Sequence, residues 1–243
     1  MQTVFDDTLS LDYKLIRSAR RKTVGLQVKA GQVIVRAPCY VADHQISALI
    51  QAKSSWLLKK VDEQLQQPQI EVCRFSHGSV IWIFGIPKTL LIHHSTINEL
   101  ENNENEFVVN VISRGGITLS GSALAHKVKK MLEGWFKTKA EEYFTLRVPQ
   151  LSALTGLSAK AVKIRQYQAR WGSCNNKGDL SFNYLLMMAP LSVIDYVITH
   201  ELCHLTHLNH SAHFWRLVSS HCPSYQTSKM WLKSYQMQLQ WKL

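Results

Sequence analysis

The pattern of residues predicts an α+β chain in two parts. An N-terminal β-rich platform with a packing helix covers residues 1–120, and a small helical domain backed by a short antiparallel sheet covers residues 121–243. Three observations carry this expectation. As far as residue 119, apolar residues recur mainly with the two-residue period of strands. Beyond residue 121 they recur mostly at helical spacing. The chain has 243 residues, 46% of them hydrophobic, which is enough to bury one large core or two small ones.

Taken in order, residues 9–37 alternate as strands do. Segments 23–28 and 32–37 flank Lys29-Ala30-Gly31, which reads as a hairpin turn. Pro38 ends that run, Asp43 is placed to cap a helix over 44–67, and Pro68 closes it. Strand-like segments follow at 79–84, 89–93, 107–112 and 117–119. Residues 98–106 are acidic and Asn-rich and read as an exposed loop. His77, His93 and His94 lack ligand spacing and read as surface or turn histidines. From Ser122 the pattern is helical to about 146, with Met131, Leu132, Trp135, Phe136 and Phe144 as apolar positions. Segments 161–168 and 178–183 read as strands joined by a loop through 170–177. Helices are expected from Leu191, over 212–221, and from Ser224 after Pro223.

Residues 200–210 read His-Glu-Leu-Cys-His-Leu-Thr-His-Leu-Asn-His. Helical residues are about 100° apart, so His200 and His204 lie about 40° from each other and can share one metal ion. Glu201 is placed to reach water at such a metal without being a ligand. Such strings also arise by chance. Here, however, Leu191, Ile194, Val197, Ile198, Leu202 and Leu205 form an apolar stripe pointing mostly away from the histidines, so the helix shows them to a cleft. A catalytic zinc takes three protein ligands and leaves one position open. His207 falls about 10 Å along the axis from His200, too far to share an ion. His210 serves if the helix ends near His207 and the chain folds back. Asn209 suits that reversal because it tolerates the left-handed conformation, and Ser211 can cap a new helix from Ala212. The expected metal ligands are therefore His200, His204 and His210 around Zn²⁺, with His207 and His213 beside the site or on the surface. Cys203 reads as a buried small hydrophobe.

The stretch from His200 to Trp215, H-E-L-x-H-L-x-H-x-N-H-S-x-x-F-W, resembles the YgjP-like family of metal-dependent hydrolases, which is related to the SprT-like and WLM zinc peptidases. Arg170-Trp171-Gly172-Ser173-Cys174 matches a second signature of that family. The N-terminal hairpin, Val35-Arg36-Ala37-Pro38 and the helix with Lys53 and Trp56-Leu57 extend the likeness over nearly the whole chain, apart from the acidic stretch near residue 100. The resemblance implies a zincin-like metallopeptidase fold, with ligands at His200, His204 and His210 and the base at Glu201. Such a site lowers the pKa of water toward about 7. Glu201 then acts as general base and delivers the proton to the leaving group. Arg170 and Tyr184 flank the strand pair next to the site, and Arg170 is the candidate oxyanion donor. Trp171, Gly172 and Ser173 shape the loop that packs on the helix.

Three function classes fit these residues. The first is a zinc peptidase acting on peptides or unfolded polypeptide. The second is a metal-dependent nucleoside triphosphate pyrophosphatase, which without a P-loop would hold its nucleotide by Arg and Lys side chains. The third is a non-catalytic zinc-containing binding module, for which Glu201 would have no use. The net charge of +11, with clusters at Arg17, Arg20, Arg21 and Lys22 and at Lys127, Lys129, Lys130, Lys137 and Lys139, favours non-specific contact with polyanions. No zinc-finger or helix-turn-helix pattern supports sequence-specific DNA reading. Apolar runs fall short of the roughly 18 residues that span a bilayer. The acidic first residues lack signal character. Cys39, Cys73, Cys174, Cys203 and Cys222 are odd in number and form no C-x-x-C pair. Together these features point to a reduced, cytoplasmic compartment.

Overall fold

Strands form where alternate side chains can be buried on one face, and the N-terminal stretch satisfies this repeatedly. The computed structural model describes residues 2–6, 9–29, 31–65, 73–113, 118–168, 170–236, 239 and 241. β1 (Gln2–Asp6), β2 (Leu9–Ser18), β3 (Gly25–Lys29) and β4 (Gln32–Pro38) form a sheet of order β1-β2-β4-β3. β2 and β4 run parallel and the other neighbours antiparallel, so the expected hairpin joins β3 to β4. Tyr13, Val33, Val35 and Ala37 pack on Ile46 and Ile50 of α1 (Asp43–Ala52) and Leu57 of α2 (Ser54–Leu65). The single helix expected over 44–67 is thus two, broken at Lys53. Asp43 is not its cap: Ala42 holds that position, and the Asp43 carboxylate pairs with Arg17. Residues 66–68, including Pro68, lie outside the described residues.

The chain divides into two compact units at 69/70, not at the expected 120. The reason is a continuous core. The sheet that follows buries Ile81, Leu90, Phe107 and Val109 in the same cluster as the later helices. β5 (Val80–Ile83), β6 (Ile86–Ser95), β7 (Glu99–Asn102) and β8 (Glu106–Ile112) lie in the order β5-β6-β8-β7. β7 falls inside the stretch expected to be a loop. Backbone pairing with β8 requires no apolar face, and the buried Lys88 Nζ donates to the Asn103 and Glu104 carbonyls at the turn. Ile117 lies outside the described residues, and 118–119 are not strand.

α3 (Gly121–Thr155) is 35 residues long and runs past the expected end near 146, through Pro149. Its buried positions Val128, Leu132, Phe136, Ala140, Phe144 and Val148 recur every four residues. Each such step turns the buried seam by about 40°, so the helix meets different partners along its length. Near its start Trp135 meets Phe107 edge-on at 4.9 Å, and further along Phe144 stacks on Phe182 at 4.4 Å. β9 (Ala161–Arg165), β10 (Gly172–Cys174) and β11 (Asp179–Asn183) make a sheet of order β10-β11-β9. β9 and β11 are parallel, so this sheet is mixed and not the antiparallel one expected. A short 3-10 helix, Tyr184–Met188, leads to α4 (Leu191–Cys203), α5 (Ala212–His221) and α6 (Tyr225–Tyr235). The Phe84–Gly85 turn donates its backbone N–H groups to the Met187 and Met188 carbonyls, tying the larger sheet to the approach of α4. Arg147 of α3 forks onto Asp195 of α4 through bonds of 2.8 and 2.6 Å. No helix among the described residues is long and apolar enough to cross a membrane.

Candidate metal centre

α4 is apolar on more sides than the expected stripe: Val193, Tyr196, Thr199 and Cys203 are buried along with Ile194, Val197, Ile198 and Leu202, whereas Leu191 is exposed. A helix buried this completely is held firmly; its last turn carries His200 and Glu201, and His204 follows directly as its C-cap. It ends at Cys203, a turn earlier than the expected end near His207. The next N–H groups bend back, Leu205 N–H to Leu202 O and His207 N–H to Cys203 O. The reversal does not use a left-handed Asn209, since that residue is not among those with positive φ. Instead the Asn209 Oδ1 accepts from Ser211 N–H at 3.3 Å. The Ser211 hydroxyl caps α5 as expected, accepting from Phe214 N–H.

The consequence is a triangle of ring nitrogens. The Nε2 atoms of His200, His204 and His210 lie 3.2, 3.2 and 3.0 Å apart. Tetrahedral bonds of roughly 2.0–2.1 Å to one ion would set them about 3.3 Å apart, so the spacing fits. The His204 tautomer fits as well. His204 Nδ1 donates to the His207 carbonyl at 2.9 Å, which leaves the Nε2 lone pair facing the triangle. Burial, with the neighbouring histidines and Lys229, pushes the His200 pKa down to about 3, so the ring is a neutral donor. His210 is lowered too, by burial, His204 and Lys229. An all-imidazole donor set suits zinc, copper, iron or nickel over magnesium or calcium. The three residues could hold a metal ion, and His207, expected beside the site, adds its backbone carbonyl and not its ring.

Two further residues hold this arrangement in ways the sequence did not reveal. The fully buried Phe214 packs on all three imidazoles, stacked on His204 at 4.4 Å and edge-on to His200 and His210 at 4.9 Å. It was legible only as a core position. Trp215 stacks on His210 at 5.6 Å and carries the Lys229 ammonium 4.0 Å above its ring.

Glu201 is 6% exposed, and burial pushes its carboxyl pKa up to about 8, with Arg170 partly opposing the rise. A Cβ at Gly172 would stand 2.6 Å from Glu201 Oε1, so this position admits only glycine if the carboxylate is to keep its place. Gly172 opens β10, a strand within the segment expected to be loop. Asn183 pins that segment, bonding its own N–H to the Trp171 carbonyl and its side chain to those of Tyr167 and Arg170. Arg170 lies over the Tyr167 ring at 5.1 Å, within electrostatic reach of Glu201. Tyr184 is not at the site: it is fully buried, with Lys137 of α3 over its ring. Cys203 is buried as expected, and the described histidines His77 and His93 sit together elsewhere, His77 accepting from Ile92 N–H.

Comparison with known proteins bears on this centre. No curated protein matches the chain. One similar solved structure is described as the metallopeptidase zymogen of Pyrococcus abyssi abylysin. It is 20% identical, covers 37% of this chain and 92% of its own, and has a TM-score of 0.34, a likeness too slight to support an argument. The model of a family described as YgjP-like, metallopeptidase domain, matches residues 22–235, a span that contains the histidine triangle, Glu201 and Gly172. With that match over most of its length, the chain belongs to the YgjP-like metallopeptidase family.

Proposed function

We propose that this protein is a zinc peptidase of zincin-like architecture that cleaves unfolded polypeptide, with His200, His204 and His210 as metal ligands and Glu201 as general base. The observation that carries the proposal is the triangle of imidazole nitrogens 3.0–3.2 Å apart, built from the end of α4 and the turn beyond it, with the buried Glu201 carboxylate next to His200 in the chain. When bound there, zinc would supply Lewis acidity, lowering the pKa of water toward about 7 and polarising a carbonyl. Everything else falls to the chain. Glu201, aimed by Gly172 and kept ionisable by its proximity to Arg170, takes a proton from water and passes it to the departing amine. Its raised pKa suits a group that must both take and return a proton near neutral pH. Arg170 faces the developing oxyanion as a donor. A polypeptide substrate is supported by β10, an edge strand among the described residues, along which an extended chain can add by backbone pairing.

The test offers zinc-loaded protein an unfolded polypeptide and a panel of nucleoside triphosphates side by side, with Glu201→Gln as control. Polypeptide cleavage is expected, reduced by about 10²- to 10⁴-fold in the variant while zinc stays at one per chain. Turnover of nucleotides alone, or full activity without Glu201, overturns the proposal.

A further inference from the structure

The N-terminal unit carries a second feature, independent of the metal centre. Its sheet buries Tyr13, Val33, Val35 and Ala37 against the two helices. Side chains alternate along strands, so Lys14, Ile34 and Arg36 point to the opposite face, and pairing brings Gln27 and Lys29 of β3 to the same side. Lys14, Gln27, Lys29 and Arg36 are exposed there. Asp12 is the acidic residue that the same alternation places on this face.

Arg21 is directed onto the same face. Gly25 lies across from Arg36, and the Arg21 guanidinium sits 2.9 Å from where a Gly25 Cβ would be. Any side chain there would displace the guanidinium, so the sequence makes room for a placed cation. Beside it Arg20 and Lys22 are exposed in the turn after β2, and Tyr40, 77% exposed, donates its hydroxyl to the Lys22 carbonyl at 3.2 Å. None of Lys14, Arg20, Arg21, Lys22, Lys29 or Arg36 has an ion-pair partner among the described residues.

Four of the other basic residues noted in the sequence are engaged within the protein. Arg17 donates to the Pro38 and Val41 carbonyls and pairs with Asp43. On α3, Lys129 and Lys139 pair with Glu133 and Glu142, and Lys137 lies over the Tyr184 ring.

We propose that this outer sheet face binds single-stranded nucleic acid through its phosphates, without reading sequence. Strands about 4.8 Å apart, with same-face residues about 6.6 Å apart along each, spread the cations at intervals that a flexible phosphate chain can follow. Tyr40 gives the edge of the patch a π-face on which a base can stack, the pairing of features that single-strand binding uses. An anionic membrane would call for large, fully exposed apolar side chains among the cations, whereas Ile16 and Ile34, which lie on this face, are only half-exposed.

The full-length protein is titrated against labelled dT20 and U20, with a DNA duplex and phosphatidylserine vesicles as comparison, over a range of salt. Both single strands are expected to bind, with log K falling linearly against log salt. Lys14→Gln/Arg21→Gln/Arg36→Gln should lower the slope by about 0.7 for each phosphate that is no longer neutralised, and weaken binding about tenfold or more near 0.1 M salt. Tyr40→Ala should weaken it by roughly fivefold or more. Lys127→Gln/Lys130→Gln/Lys137→Gln removes equal charge elsewhere and should leave affinity intact, and circular dichroism confirms that each variant is folded. Equal weakening by the two triple variants, preference for vesicles or duplex, or no binding at low salt overturns the proposal.

Discussion

His207 and His210 stand three residues apart on the same segment, yet one contributes its backbone and the other its ring. His207 N–H closes the last turn onto Cys203, and its carbonyl fixes the His204 tautomer. His210 lies beyond the reversal with its Nε2 in the triangle. Replacing His210 by Ala should therefore cost more than the roughly 10- to 100-fold in metal affinity that removal of an outer partner costs. Replacing His207 by Ala should change affinity little, and titration with a competing chelator measures both. That these three imidazoles can converge was readable because spacing on a helix and a turn is local information. The device of the turn was not, since an Asx bond and a left-handed Asn serve one reversal equally well. Gly172 was legible only as part of the loop that packs on the helix, because nothing near it in sequence announces its closeness to Glu201. Gly172→Ala should displace the carboxylate and lower kcat by about 10²-fold with metal content unchanged, as a shift of about 1 Å in a catalytic group does. Unchanged kcat would show that Glu201 tolerates the intruding methyl.

Among the elements, α3 and β10 depart furthest from expectation, for opposite reasons. α3 outruns its sequence signal because packing overrides a local break: Pro149 is exposed, while Val148 and Leu151 beside it are buried. β10 is only three residues, too short for any period to register, and it exists through pairing with β11 and the carbonyl bonds to Asn183. β7 likewise is strand by virtue of its neighbour and not its composition. Phe144, stacked on Phe182, joins the long helix to the small sheet behind the metal helix. Phe144→Ala should cost about 3–5 kcal/mol in urea unfolding, the range for emptying a large aromatic site. A cost below about 1 kcal/mol would mean that the two surfaces close over the gap.

Across the molecule, each unit has its own apolar cluster, and all residues of the metal centre fall in the second. A fragment beginning at Cys73 should therefore still bind one metal ion per chain, measured by elemental analysis, while a fragment of residues 1–65 should bind none at stoichiometric levels. Failure of the longer fragment to hold metal would show that the centre depends on the first unit. The period of the apolar residues, the Ser211 cap and the histidine spacing were readable from the sequence, because each depends on residues within a few turns of one another. The division at 69/70, the parallel pairing of β9 with β11 and the closeness of Gly172 to Glu201 were not. They arise when segments far apart in the chain compete to bury the same surface, and only the folded packing settles which of them meet.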